Sequence, residues 1–278
     1  MTSSARISPT AHYTAHVWIR NGLADPAFAT REGEKLHRLL VPFNAVSRRL
    51  GGPTVDGMLL ARHHVIDHLL KRAIEAGAVG QVIEVAAGLS PRGWRMSRTY
   101  PKLRYIEADL PAMIARKREV LERAAAVGPG HELVEIDALA DAGPISIGAI
   151  AGRLDPTRGA AIITEGLLNY FPGETAVKMW RRFGAALARF PAGLYLADLV
   201  VSRDSRGLLV RMFCVSLGIF VRGGVYLDFA DDVVPRSELE SAGFTRAQLH
   251  RPSEFAGMIG DVEPAGARQV RIIEAQRL

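Results

Sequence analysis

Cysteine is almost missing from this 278-residue chain, in which Cys214 is the single thiol. One thiol excludes a disulfide framework and any zinc site built from cysteines. It fits a reducing compartment, so a cytoplasmic protein is expected. Aromatic residues amount to only 7%, and no aromatic–basic platform of the RNA-binding kind is present. The first twenty residues hold no continuous apolar core, so no secretory signal is expected. Long hydrophobic runs are lacking too. The longest, residues 208–221, is interrupted by Arg211 and flanked by Arg206 and Arg222. A membrane span needs about 20 predominantly apolar residues, so the expectation is a soluble protein with no membrane partner. No internal repeat is visible.

What is present points to a folded chain. The apolar fraction of 48% excludes disorder. The length suits one core near its upper limit, at roughly 250–300 residues, or two modest domains. Net charge is +6, from 35 basic and 29 acidic residues. A basic balance suits nucleic acid, yet the cations are spread out and mixed with acids, as in Arg116-Lys117-Arg118-Glu119. An Arg-rich surface with no nucleic-acid partner is the expectation.

Residues 15–77 carry helical patterns, at 30–49 and 55–76, divided by Gly51-Gly52-Pro53 and ended by Gly77. After Gly77 the texture changes. β-rich runs at 81–86, 103–106, 131–136, 160–164 and 193–197 alternate with helical patterns at 111–126 and 174–190. Such alternation predicts an α/β fold: a doubly wound, mostly parallel, Rossmann-like sheet with helices on both faces. Runs at 244–249 and 269–274 could close it as an antiparallel pair. The expected organisation is an N-terminal helical cap, 1–79, and an α/β core, 80–278, with a lid insertion at about 200–240.

The richest stretch runs from Val82 through Glu84, Ala86-Ala87-Gly88 and Ser90-Pro91 to Gly93. An apolar strand meets small residues that let a ligand approach the backbone, and a helix follows whose free amides can contact polar groups. Asp109 lies 21 residues beyond Gly88 and Glu107 lies 19 beyond. That is about the distance at which a second strand ends and a carboxylate can bind ribose hydroxyls; Asp109 is the favoured one. Glu84 separates two cofactor classes. A carboxylate beside the turn is unfavourable for a pyrophosphate, whereas S-adenosylmethionine brings an ammonium and a sulfonium and no phosphate. Glu84 could equally pair with a helix Arg.

Four motifs carry a family likeness: Arg62-His63-His64-Val65-Ile66-Asp67; Glu84 through Arg95, including Arg92 and Trp94; Glu107-Ala108-Asp109-Leu110-Pro111 with Lys117; and Thr164-Glu165-Gly166-Leu167-Leu168-Asn169-Tyr170. Over about residues 55–200 the chain resembles the leucine carboxyl methyltransferase family, in particular its bacterial branch of polyketide-type O-methyltransferases. The resemblance implies a class I methyltransferase sheet and S-adenosylmethionine as cofactor. It also implies that Arg62 binds the methionine carboxylate, that the turn at Ala86–Gly88 faces the methionine moiety, and that Asp109 holds the ribose. Asp137 would lie near the adenine, and Glu165 would contact the cofactor. The chain departs from the family at Ala86, which stands where the first Gly is expected, and at Ser90-Pro91, which replaces an Asp-Thr pair.

Methyl transfer needs an acceptor oxygen held in line with the sulfonium methyl and water kept out. A carboxylate is already ionised near neutrality, whereas a phenol benefits from a base. His12 and His16 are the candidate bases, and Tyr170 is a candidate for the acceptor pocket. His64 and His68 have i,i+4 spacing but no third ligand, so no metal is expected. Residues 208–221 place 208, 212, 215 and 219 on one helix face. The other face is apolar too, so an acceptor pocket or a partner subunit in a homodimer could cover it. The expected partner is a small, largely apolar acceptor. Two alternatives stay open: a nicotinamide-dependent reductase, and a methyltransferase-like binding protein without turnover.

Overall fold

A computed structural model describes residues 9–124, 128, 130–203, 225–259 and 263–278. The run at 208–221, and with it most of the expected lid insertion and Cys214, lies outside the described residues.

Three helices come first: α1 (Pro9–Arg20), α2 (Arg31–Arg49) and α3 (Val55–Glu75). The Thr30 and Thr54 side chains cap α2 and α3, accepting from the amides of Gly33 and Gly57, which satisfies N–H groups that the first turn leaves open. From β1 (Gln81–Val85) onward strands and helices alternate: α4 (Arg92–Thr99), β2 (Arg104–Asp109), α5 (Pro111–Arg123), β3 (His131–Glu135), α6 (Ile147–Ala151), β4 (Ala160–Thr164), α7 (Gly173–Leu187) and β5 (Gly193–Leu199). Then come α8 (Val233–Ser241), β6 (Arg246–His250), α9 (Pro264–Ala267) and β7 (Arg271–Arg277).

The sheet has the order β3-β2-β1-β4-β5-β7-β6. Its first five strands are parallel, and β7 runs antiparallel between β5 and β6. Strands β1, β4 and β5 are buried along their whole length, as expected for a sheet covered on both faces. Ile83, Ile106, Ile162 and Ala197 meet α6 and α7 on one face. Val82, Tyr105, Ile163 and Leu196 meet α1 and α3 on the other, the period-2 alternation of strands. Thus α3 lies against the sheet, while α2 packs outside on α1.

Register positions the site. Val85 is level with Ala108 on β2 and Thr164 on β4, and Thr164 is level with Ala197 on β5. Ala86, Asp109, Glu165 and Asp198 therefore arrive together at the carboxyl ends of four neighbouring strands. The sheet order reverses between β1 and β4, the place where open α/β sheets bind ligands.

Candidate active site

The turn after β1 is built on left-handed backbone, with φ of 55° at Ala86 and 51° at Gly88. Asp109 holds it: Gly88 N–H donates to Oδ2 and Leu110 N–H to Oδ1, both at 2.7 Å. Burial pushes the Asp109 carboxyl up, against the pull of those two amides. A Cβ added at Gly88 would have Ala11 Cβ, at 3.7 Å, as its nearest neighbour, so α1 roofs the turn. Glu107 points the other way, into a buried set with Lys117 Nζ at 2.7 Å and His131 Nε2 at 3.0 Å. Burial alone would raise Glu107, but Lys117 and His131 bring it below the usual carboxylate range. Lys117 Nζ also reaches Ala87 O at 3.5 Å, tying this pair to the turn.

Beside the turn lies a buried ionic cluster centred on Arg92, which has no solvent exposure. Its Nε donates to Asp67 Oδ1 at 2.6 Å, its Nη1 to Glu84 Oε1 at 2.6 Å, and its Nη2 to Glu165. Tyr105 O–H donates to the other Glu84 oxygen at 2.7 Å. Arg95 pairs with Asp67. Arg62 donates from Nε to Glu165 Oε1 at 3.1 Å and from Nη1 to Asp198 Oδ2 at 3.0 Å. Burial would raise Asp67 and Glu165, yet His63 and the arginines hold both well below the usual carboxylate range.

The expected site residues do not all converge. Arg62, Ala86, Gly88, Asp109 and Glu165 converge at the strand ends. Asp137 lies half-buried just past β3, with Oδ1 accepting from Leu139 N–H at 2.9 Å. Glu84 is 1% exposed with both oxygens engaged, the helix-Arg pairing that the sequence also allowed. Any effect on a ligand passes through Arg92 and the turn. His12 and His16 are both turned toward α2. His12 Nδ1 lies 3.1 Å from Thr30 Oγ1, and the His16 ring packs on His37 at 4.7 Å. The α1 residue over the turn is Ala11, a helical step away. Tyr170 O–H reaches Thr10 Oγ1 at 3.3 Å, between β4 and α1. Five members of the cluster were not read as site residues: His63, Asp67, Arg92 and Arg95, which stand in the quoted motifs without an assigned role, and Asp198, one residue beyond the strand as read.

These residues suit S-adenosylmethionine. Arg62 Nη2 makes no hydrogen bond among the described residues and faces Gly166, where a Cβ would sit 2.9 Å from it. The glycine leaves a cradle in which a guanidinium edge can receive a carboxylate.

Comparison with known proteins agrees with this geometry. The model of the leucine carboxyl methyltransferase family matches residues 17–183, more than half the chain. The chain belongs to this family. A Mycobacterium bovis relative, named as an inferred S-adenosyl-L-methionine-dependent methyltransferase, is 30% identical over 165 residues, 59% of this chain and 47% of that protein. A Frankia alni relative of the same description is 31% identical over 183 residues, 65% of this chain and 62% of that one. The chain spans about half the length of the mycobacterial relatives it matches. Among solved structures, a DUF574 family protein from Streptomyces avermitilis superimposes with a TM-score of 0.64 at 13% identity, covering 99% of both chains. The magnesium protoporphyrin IX methyltransferase of Synechocystis, solved with S-adenosylhomocysteine, gives 0.52 at 14% identity, over 88% of this chain and all of that one. These likenesses establish the Rossmann-like methyltransferase fold of this family member.

Proposed function

We propose that this family member is an S-adenosylmethionine-dependent O-methyltransferase acting on the carboxylate or phenolic hydroxyl of a small, largely apolar molecule. The observation that carries this reading is the convergence at the strand ends. Arg62 presents a free guanidinium edge over Gly166, and Asp109 braces the left-handed turn at Ala86–Gly88. When bound, S-adenosylmethionine supplies an activated methyl group on a sulfonium, open to in-line attack by an oxygen.

The chain's own residues then have separable tasks. Arg62 takes the methionine carboxylate. Asp109 keeps the turn folded while each of its oxygens retains a lone pair for a ribose hydroxyl. Glu165 fixes Arg62 and adds negative charge beside it. The α1 roof keeps water from the turn, which favours displacement by the acceptor over hydrolysis. With His12 and His16 engaged at α2, a carboxylate acceptor is favoured over a phenol, since it reacts without a general base.

Calorimetry with S-adenosylmethionine and S-adenosylhomocysteine tests the cofactor half, and preferential binding of NADH would overturn it. A screen of carboxylic acids and phenols, reading S-adenosylhomocysteine release, tests the acceptor half. Methyl found only on nitrogen or nucleic acid would overturn that half alone.

A further inference from the structure

Helix α2 packs outside, on α1, and it is apolar on more than one side. Its buried residues are Gly33, His37, Leu40, Asn44 and Ser47. Asn44 fixes that face, donating to Tyr13 of α1 and accepting from the amide of Val55 of α3. A second apolar set is left over. Leu39, Val46 and Leu50 are 67%, 57% and 65% exposed, and Leu36 and Phe43 are half-buried beside them. The positions 36, 39, 43, 46 and 50 alternate steps of three and four, so at about 100° per residue they fall within about 80° of one another. They form a continuous stripe down one flank of α2, open to solvent at three of its five positions. Single exposed leucines are ordinary on a protein surface, but a stripe in register along a whole helix marks a contact face.

The charges beside the stripe choose its partner. On the side away from α1 the helix continues from Val46 to Lys35, then Arg31 and Arg49, then Arg38, all exposed. Arg38 pairs with Glu34 at 2.5 Å, whereas Arg31, Lys35 and Arg49 have no ion pair among the described residues. Over its length α2 carries five cations and two acids, Glu32 and Glu34, a net charge of +3 in a chain of +6. Glu32 alone enters the stripe, at its first turn. A second copy of the chain is a poor occupant. Paired antiparallel along the stripe, Lys35 of one copy faces Arg49 of the other, and paired parallel, each cation faces its own counterpart. An anionic lipid surface is complementary on both counts: the stripe enters the acyl boundary while the adjoining cations reach the phosphates.

We propose that α2 is a membrane-surface helix, docking the protein on anionic lipid through Leu39, Val46 and Leu50, with Lys35, Arg38 and Arg49 at the head groups. The sequence argues against a span, and none of the described helices is long and apolar enough to cross a membrane. A helix lying in the interface needs neither that length nor that unbroken run. Attachment through one helix flank is reversible, and it weakens as salt screens the cations. The place of α2 in the fold gives the docking a purpose. It packs on α1, and α1 roofs the turn at Gly88. Docking brings that roofed turn to the bilayer, where apolar molecules concentrate. This consequence for the acceptor, unlike the docking itself, rests on the methyl-transfer reading above.

Co-sedimentation of the full chain, without cofactor, tests it with two vesicle preparations: phosphatidylcholine alone, and phosphatidylcholine mixed equally with phosphatidylglycerol. The anionic vesicles are expected to bind at least about tenfold tighter at about 0.1 M salt. That preference should largely vanish at about 1 M, where the Debye length falls to about 3 Å. Leu39→Gln, Val46→Gln and Leu50→Gln together remove the open part of the stripe and leave the buried face of α2 intact. They should lower binding to anionic vesicles at least about tenfold, with an unchanged urea midpoint. Lys35→Gln with Arg49→Gln is an independent second reading, and should reduce the preference for the anionic vesicles alone. Failure of the parent protein to sediment with anionic vesicles would overturn the proposal. So would binding that the triple replacement leaves unmoved, which would assign it to cations elsewhere on the surface. A light-scattering mass of twice the chain, reduced to one by the triple replacement, would give the stripe to a second copy and overturn it as well. None of these outcomes touches the cofactor reading, which calorimetry decides separately.

Discussion

Ala86 is the one non-glycine among the described residues with positive φ, at 55°. A Cβ in that region costs roughly 1–2 kcal/mol, part of which glycine's greater unfolded freedom offsets. Ala86→Gly should therefore stabilise the protein by up to about 1 kcal/mol, and the β-branched Ala86→Val should destabilise it. Urea midpoints of the two variants read the sign. Arg62 calls for a conservative change, because deleting it would leave Glu165 and Asp198 short of a partner and lower stability as well. Arg62→Lys keeps the charge and loses the fork, and is expected to weaken S-adenosylmethionine binding about tenfold in a folded protein. Normal affinity in Arg62→Lys would remove the guanidinium from the site. Asp109 was singled out in the sequence by its spacing from Gly88, whereas Arg62 and Glu165 came from the family resemblance. His63 and Asp198 were not legible, because their role comes from contacts with residues about 30 to 136 positions away, and no periodicity records such a pairing.

At the scale of elements, α4 is fastened to β2 through a missing side chain. A Cβ at Gly93, in the first turn of α4, would overlap the carboxylate of Glu107. Glu107 cannot retreat without losing Lys117 and His131. Gly93→Ala is therefore expected to cost about 1–3 kcal/mol despite the better helix propensity of alanine, as measured by chemical denaturation. An unchanged midpoint would show that α4 stands off the strand. The elements themselves were largely readable. Thr30 and Thr54 fall where helix starts were expected, and the closing antiparallel pair was anticipated. The second strand was read three residues short, at 106 instead of Asp109, because Glu107 and Asp109 break its apolar run while lying buried. Their burial is a tertiary fact, made tolerable by Lys117 in one case and by backbone amides in the other.

For the whole molecule, acid should act in two stages. Burial lowers His12, His16, His37 and His64, so folding favours their neutral forms. That contribution is complete above the ordinary histidine value near 6.5 and is lost as pH falls below it. Asp67, Glu107 and Glu165 are depressed despite burial, and Glu274 is held down to about 2, against its burial, by His250 and Arg72. Their contribution is present above about pH 4.3 and is lost as pH falls from there through the depressed values. Asp109, raised by burial, opposes this second loss. The urea midpoint should be level from about pH 7 to 9, decline below about 6.5, and fall again below about 4.3. Replacing His16 and His37 together by Gln should make the first decline shallower, leaving the part due to His12 and His64, and leave the second unchanged. A single transition near pH 4 in the parent protein would contradict the histidine contribution.

The antiparallel strand at residues 271–277 has a consequence for the order in which the chain can assemble. It is made after the other six strands of the sheet, yet it lies inside it, hydrogen-bonded to β5 on one side and β6 on the other. During synthesis the five parallel strands can gather early, but β5 then presents an open edge, and β6 has no place to dock. A nascent chain halted before Arg271 would expose that edge to other chains, a setting that favours aggregation. The seven residues of β7 thus decide when the β5 edge of the growing sheet is sealed.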